Sequence, residues 1–200
     1  MAAPIDFYFD FSSPYGYIAA KQVDGLAARH GREVAWRPML LGPVFKVVGT
    51  QPLVEQPLKG DYSRHDFPRM ARFHKVPFTL PSKFPVGTVA ASRAFYWLHD
   101  RDPKLAKRFA HAIFDAFYTR GRDVSDPAVA LAIAQETGAD RAALEGALAD
   151  PVVKERLKTE VDAAIAKGVF GSPYFIVDGE PFWGVDRLPM LEEWLRTGGW

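Results

Sequence analysis

Apolar and polar residues alternate at the start of the chain, where Ile5, Phe7, Phe9 and Phe11 are separated by Asp6, Tyr8 and Asp10. A period of two predicts a strand, and Pro14 ends it. Proline suits the first position of a helix, where its missing N–H would have no partner, and a serine before it can cap the free amides that follow. Ser13 is therefore a predicted N-cap, at the positive end of the helix dipole. The helix should continue through Tyr17, Ile18, Val23 and Leu26 and stop near His30-Gly31. A second strand follows over Glu33 to Arg37, with Val34 and Trp36 on one face and Pro38 at its end. Strand, helix and strand in this span make a βαβ unit, whose crossover is right-handed.

From Met39 to about Lys83 the pattern weakens. Pro43, Pro52, Pro57, Pro68, Pro77 and Pro81 stand too close together for long regular elements, so loop and short helix are expected. Phe45, Tyr62, Phe67, Phe73 and Phe78 argue against disorder there. Helical periodicity then dominates up to Gly168. Thr88 is a predicted cap for a helix through Ala94, Phe95 and Leu98, and Leu105, Phe109, Ile113 and Phe117 recur every fourth residue on the next. Asp126-Pro127 and Asp150-Pro151 repeat the cap-then-proline start, and Val153, Leu157, Val161 and Ile165 form one stripe. Strand character returns at Tyr174 to Val177. Asp178-Gly179 predicts a tight hairpin turn into Pro181-Phe182-Trp183, and Arg187 to Leu195 a closing helix. The order predicts an α/β fold, β-α-β then β-β-α, split by a large α-helical insertion. One part is formed by residues 1–40 and 168–200, and the connecting loop and insertion by 41–167.

Composition narrows the chemistry. With 48% apolar residues in 200, the chain can bury a sizeable core. Twenty-five Lys and Arg against 24 Asp and Glu leave a formal charge of +1, which gives no support for a nucleic-acid surface. No leader precedes the first strand and no apolar run approaches the roughly 18 residues of a membrane span, so a soluble cytoplasmic protein is expected. The absence of cysteine removes disulfide exchange, a thiolate nucleophile of the protein's own and Cys-ligated metal. His30, His65, His74, His99 and His111 show no metal-binding spacing, so no metal is expected. Arg64, Arg69 and Arg72 fit either a solvated helix face or an anion-binding one. Ser13 has two readings. It caps a helix and no more, or its hydroxyl and the neighbouring amides also stabilise an anion.

FYFDFSSPYGYIA, the WRPMLLG stretch, Lys59-Gly60-Asp61-Tyr62, VFGSPYFIVDG and FWGVDRL stand in an order and spacing that resemble the 2-hydroxychromene-2-carboxylate isomerases. These are relatives of the kappa-class glutathione transferases and of DsbA-type thioredoxin-fold proteins. The resemblance spans nearly the whole chain. It implies a thioredoxin-like fold, glutathione as the bound thiol, a small aromatic substrate and a homodimer. Ser13 matches the family's active-site serine, and Ser13-Pro14-Tyr15-Gly16 stands where redox-active relatives carry Cys-x-x-Cys. Ser172 and Pro173 match the cis-proline loop that pairs with the cysteinyl unit of glutathione. Val185, Asp186 and Arg187 match the corner that receives the γ-glutamyl end, and Asp186 is also a plausible helix N-cap. Lys59 matches a residue that meets the glycyl carboxylate. Two positions depart from the pattern: Thr50 replaces an Asn of the kappa relatives, and Val185 replaces a common Asn or Ser. Tyr15, Phe45 and Trp183 are candidates for the aromatic pocket.

The implied chemistry is energetically consistent. A free thiol has a pKa of about 8.5, and lowering it by about two units takes roughly 2.7 kcal/mol. A hydroxyl-to-anion hydrogen bond supplies about 1.5–3 kcal/mol and a helix N-terminus about 0.3–1 kcal/mol more. The expected activity is glutathione-dependent cis–trans isomerisation in the degradation of aromatic compounds. The alternatives are a kappa-like transferase that conjugates electrophiles and a cysteine-free binding module that catalyses nothing.

Overall fold

The computed structural model describes residues 3–200. The alternating run forms strand β1 (Ile5–Phe9), and Pro14 opens α1 (Pro14–Ala20). The single helix expected up to His30 is two, because the chain turns at Lys21 and Gln22 and resumes as α2 (Val23–Arg29). Gln22 stabilises the break by donating from its side-chain amide to the Ile18 carbonyl at 3.0 Å. The turn lays α2 along the second strand and the last helix, so tertiary packing overrides a continuous local pattern. Strand β2 (Val34–Pro38) pairs in parallel with β1, from Ile5 opposite Val34 to Phe9 opposite Pro38.

The proline-rich stretch is more regular than expected. It holds α3 (Leu41–Val48), a 3-10 turn (Leu53–Glu55) and a 15-residue helix α4 (Lys59–Phe73). Pro43 lies in the first turn of α3, where its missing N–H costs nothing, and Pro52 and Pro57 lie between elements. Only Pro68 interrupts a helix interior. Leu58 enters α4 through a γ-turn, with φ 64°, ψ −47° and the Lys59 N–H donating to the Pro57 carbonyl at 2.7 Å.

Five helices follow: α5 (Val89–His99), α6 (Pro103–Arg120), α7 (Pro127–Glu136), α8 (Arg141–Ala149) and α9 (Pro151–Ala166). Asp126 and Asp150 cap their helices as expected, and Asp102 and Asp140 do the same. Thr88 precedes α5 but its side chain does not cap it; the hydroxyl donates to Asp10 instead. The hairpin forms from β3 (Tyr174–Val177) and β4 (Glu180–Trp183), joined by Asp178 at φ 53° and Gly179 at φ 93°. A 3-10 turn (Val185–Arg187) then leads into α10 (Leu188–Thr197). Asp186 therefore lies before the last helix and does not cap it.

The sheet order is β2-β1-β3-β4, with β3 and β4 antiparallel to their neighbours. This is the thioredoxin-like arrangement, with the helices from α3 to α9 inserted between β2 and β3. Phe7, Phe9 and Phe11 are fully buried. Phe7 stacks on Phe175 of β3 at 5.3 Å and meets Trp36 of β2 edge-on at 5.2 Å, while Phe9 reaches Phe114 of α6 at 5.4 Å. One apolar core thus joins the sheet to the inserted helices. No helix among the described residues is long and apolar enough to cross a membrane.

Candidate functional site at the start of the first helix

The strand-to-helix junction puts Ser13 at the N-cap of α1, where its Oγ accepts from the Gly16 N–H at 3.0 Å. The same hydroxyl donates to the Ser172 carbonyl at 2.9 Å, and the residue is only 5% exposed. The Ser172-Pro173 bond is cis. Ser172 turns its own hydroxyl back to accept from the Asp10 N–H at 3.0 Å. The carbonyl of Ser172, in the loop expected to pair with glutathione, is thus engaged by Ser13. Gly16 makes this closure possible, because a Cβ there would lie 2.9 Å from Ser172 Oγ and 3.1 Å from Ser13 Cβ.

The Pro173 carbonyl accepts from the Gly184 N–H at 3.0 Å, and the following 3-10 turn packs against α1. Gly184 takes φ 108°, which a side chain rarely adopts, and the Asp186 carboxylate folds over the space a Cβ would fill. Asp186 is exposed and pairs with its neighbour Arg187 at 3.0 Å, while Val185 is buried. Trp183 is 55% exposed and lies against Gly171, where a Cβ would collide with its indole; Phe170 meets the same ring edge-on at 4.8 Å.

Tyr15, in the first turn of α1, is half-buried. Its hydroxyl donates to Asp66 of α4 at 2.6 Å and its ring packs edge-on against Phe67 at 5.1 Å. Burial, with the Asp66 carboxylate beside it, pushes the phenol well above its ordinary range, so this hydroxyl is a neutral donor. Asp66 also holds Arg69, which reaches the Tyr62 hydroxyl at 2.7 Å. Arg69 is therefore engaged within its own helix. Phe45 lies half-buried on α3. Thr50 follows that helix, is exposed, and accepts from Gln56 at 3.2 Å. Lys59 is exposed in the first turn of α4 and forms no ion pair among the described residues. The structure therefore gathers Ser13, Ser172, Pro173 and the 184–187 corner around the start of α1, while among the described residues no hydrogen bond joins Thr50 or Lys59 to that corner. No cluster of three or more His, Asp or Glu among the described residues is placed to hold a metal ion.

Asp10 is the residue that sequence reasoning missed. It reads as one of the polar positions of an alternating strand, yet it is 5% exposed. Its Oδ1 accepts from the Ser12 N–H at 2.9 Å and the Thr88 hydroxyl at 2.7 Å, and its Oδ2 from the Leu41 N–H at 2.9 Å. Its carbonyl takes the Ser13 N–H at 2.9 Å. Burial pushes its pKa up and the three donors oppose that shift.

Comparison with known proteins agrees with this fold. The family described as the DSBA-like thioredoxin domain matches residues 4–196. A 2-hydroxychromene-2-carboxylate isomerase of Sphingobium xenophagum is 30% identical over 197 residues, covering 98% of this chain and 99% of the relative. Glutathione S-transferase kappa 1 of Rattus norvegicus is 25% identical, covering 96% and 92%. The solved structure of a 2-hydroxychromene-2-carboxylate isomerase superposes with a TM-score of 0.84 at 29% identity, covering 94% of this chain and 92% of that one. The chain belongs to the DsbA-like thioredoxin-domain family and, within it, to the family of the 2-hydroxychromene-2-carboxylate isomerases.

Proposed function

We propose that this protein is a glutathione-dependent isomerase of the 2-hydroxychromene-2-carboxylate type, acting in the cytoplasm on an aromatic 2-oxo acid in the degradation of aromatic compounds. The observation that carries the reading is the Ser13 hydroxyl at the N-cap of α1, set against the cis Ser172-Pro173 loop in a chain without cysteine. The chain offers groups that match the charges of glutathione. Asp186 suits its α-ammonium, Lys59 its glycyl carboxylate, and the Ser13 hydroxyl with the first amides of α1 its sulfur as an anion. Thr50 and the backbone of Val185 and Arg187 complete the glutathione side, while Tyr15, Phe45 and Trp183 form the aromatic acceptor side.

Bound glutathione supplies a nucleophilic sulfur that adds reversibly to a conjugated carbon, so that a double bond can rotate and the thiol is returned. The protein's part is to hold that sulfur ionised. To do so the Ser13 hydroxyl turns its proton from the Ser172 carbonyl to the sulfur, exchanging a neutral hydrogen bond of about 1 kcal/mol for a charge-assisted one of about 1.5–3 kcal/mol. The released Ser172 carbonyl is then free to accept the cysteinyl N–H, as an added strand would supply it. In this reading residues 1–40 and 168–200 form the thioredoxin-like part, 41–167 the connecting loop and helical insertion, both parts contribute to each side of the site, and two copies form a dimer.

The test is calorimetric titration with glutathione followed by turnover with and without it. An isomerase binds glutathione, requires it and leaves its total amount constant. Consumption of one glutathione per product would instead support a transferase, a reading favoured by the similarity to the rat kappa enzyme. No heat at millimolar glutathione would leave a binding module.

A further inference from the structure

The segments that build the site come from distant parts of the chain, and one buried carboxylate touches three of them. Asp10 ties the Ser12 amide of the strand-to-helix junction, the Leu41 amide at the start of α3 and the Thr88 hydroxyl at the start of α5. Its backbone ties two further points, donating to Ser172 Oγ of the cis-proline loop and accepting from the Ser13 N–H. Ser12 extends the network by accepting the Val86 N–H at 3.0 Å. All three partners of the carboxylate are donors. A neutral amide in its place would turn an NH₂ toward at least one of them, leaving a buried donor unsatisfied.

We propose that Asp10 is the positioning residue of the site: its carboxylate fixes the Ser13 junction relative to the starts of α3 and α5, its backbone N–H holds the cis-proline loop to the same point, and the thiol side is so set against the acceptor side. The inference rests on the proposed glutathione chemistry for its kinetic arm only. Loss of the carboxylate should leave both halves able to bind while spoiling their mutual geometry. A displacement of about 1 Å between reacting groups costs up to about 100-fold in rate.

The test uses Asp10→Asn and Thr88→Val in the full-length protein. Thr88→Val removes one donor from Oδ1 with little change of shape, and leaves both backbone donors. For Asp10→Asn, kcat should fall roughly 10- to 100-fold while the glutathione Kd and the substrate KM stay within about threefold; Thr88→Val should lower kcat in the same sense by a smaller factor. Without any ligand, amide NMR spectra of both variants should show shifts at Ser13, Gly16 and Ser172 as well as at Ser12 and Leu41. A purely structural role would lower the melting temperature yet leave kcat unchanged and confine the shifts to Ser12, Leu41 and their neighbours; that result overturns the proposal. If Asp10→Asn does not fold, Thr88→Val decides, and an unchanged kcat with unmoved Ser13 and Ser172 amides refutes it. If the wild-type protein binds no glutathione, the proposed function fails, and the ligand-free spectra still decide the role of Asp10.

Discussion

Replacing Ser13 by Ala removes two hydrogen bonds at one atom, the one from the Gly16 N–H and the one to the Ser172 carbonyl. Loss of an N-cap costs about 0.5–2 kcal/mol, and the unpaired buried carbonyl adds about 1 kcal/mol. For a chain of this size each kcal/mol lowers the melting temperature by about 2–4 °C, so the variant should melt about 3–12 °C below the parent protein. The functional effect is separate and depends on pH. With the hydroxyl, a bound thiol of pKa about 6.5 is about three-quarters ionised at pH 7; losing about 2 kcal/mol of stabilisation raises that pKa to about 8 and leaves about one-tenth ionised. At pH 9 both forms are about nine-tenths ionised or more. Turnover should therefore fall about eightfold at pH 7 from ionisation alone and change little from that cause at pH 9. The assay is initial rate at the two pH values with saturating glutathione, alongside thiolate absorbance of the complex. Equal losses at both values would show that Ser13 does not act through the sulfur's charge.

Lys59→Ala should weaken glutathione binding about two- to fivefold, the scale of one exposed charge pair, and an unchanged calorimetric Kd would remove Lys59 from the site. Asp123, paired with Lys83 at 2.7 Å and held by Ser125, has its pKa drawn down to about 2. Because the folded-state pKa is depressed, the stabilisation is complete above the unfolded carboxylate value and is lost as pH falls toward about 2. Asp123→Asn should accordingly flatten the dependence of stability on pH in that acid window and nowhere else, as acid titration followed by circular dichroism would show. Leu58→Gly should stabilise the fold by up to about 1 kcal/mol, since glycine occupies positive φ without strain, although it also loses more chain entropy; a lower urea midpoint would refute the strain.

Much of the fold was legible because its signals are local. The Ser13-Pro14 start, the Asp-Pro caps and the Asp178-Gly179 turn each depend on a few adjacent residues and form where expected, while the β1 alternation forms its strand but stops at Phe9, short of the Pro14 expected to end it. The thioredoxin-like order followed from their sequence. The misreadings have distant causes. Nothing near Lys21 announces a break, because what α2 packs on lies in β2 and α10. The prolines between Met39 and Lys83 suggested irregular chain, since their positions relative to helix ends cannot be read from spacing. Thr88 resembled a cap because its partner lies 78 residues away in sequence. Asp10 was hidden for the same reason: among strand residues a carboxylate signals solvent, and only the approach of Leu41 and Thr88 makes it an interior anchor.

The γ-turn at Leu58 bears on how firmly the start of α4 is held. A leucine held 92% exposed in a backbone shape that side chains resist raises the energy of the ordered entry to α4 relative to a frayed one. Unwinding of that first helical turn is correspondingly cheaper than at a relaxed helix start, and Lys59 is the residue that travels with it. In the proposed site, the cation assigned to the glycyl carboxylate is thus mounted on a helical turn whose strained entry makes it easier to unwind.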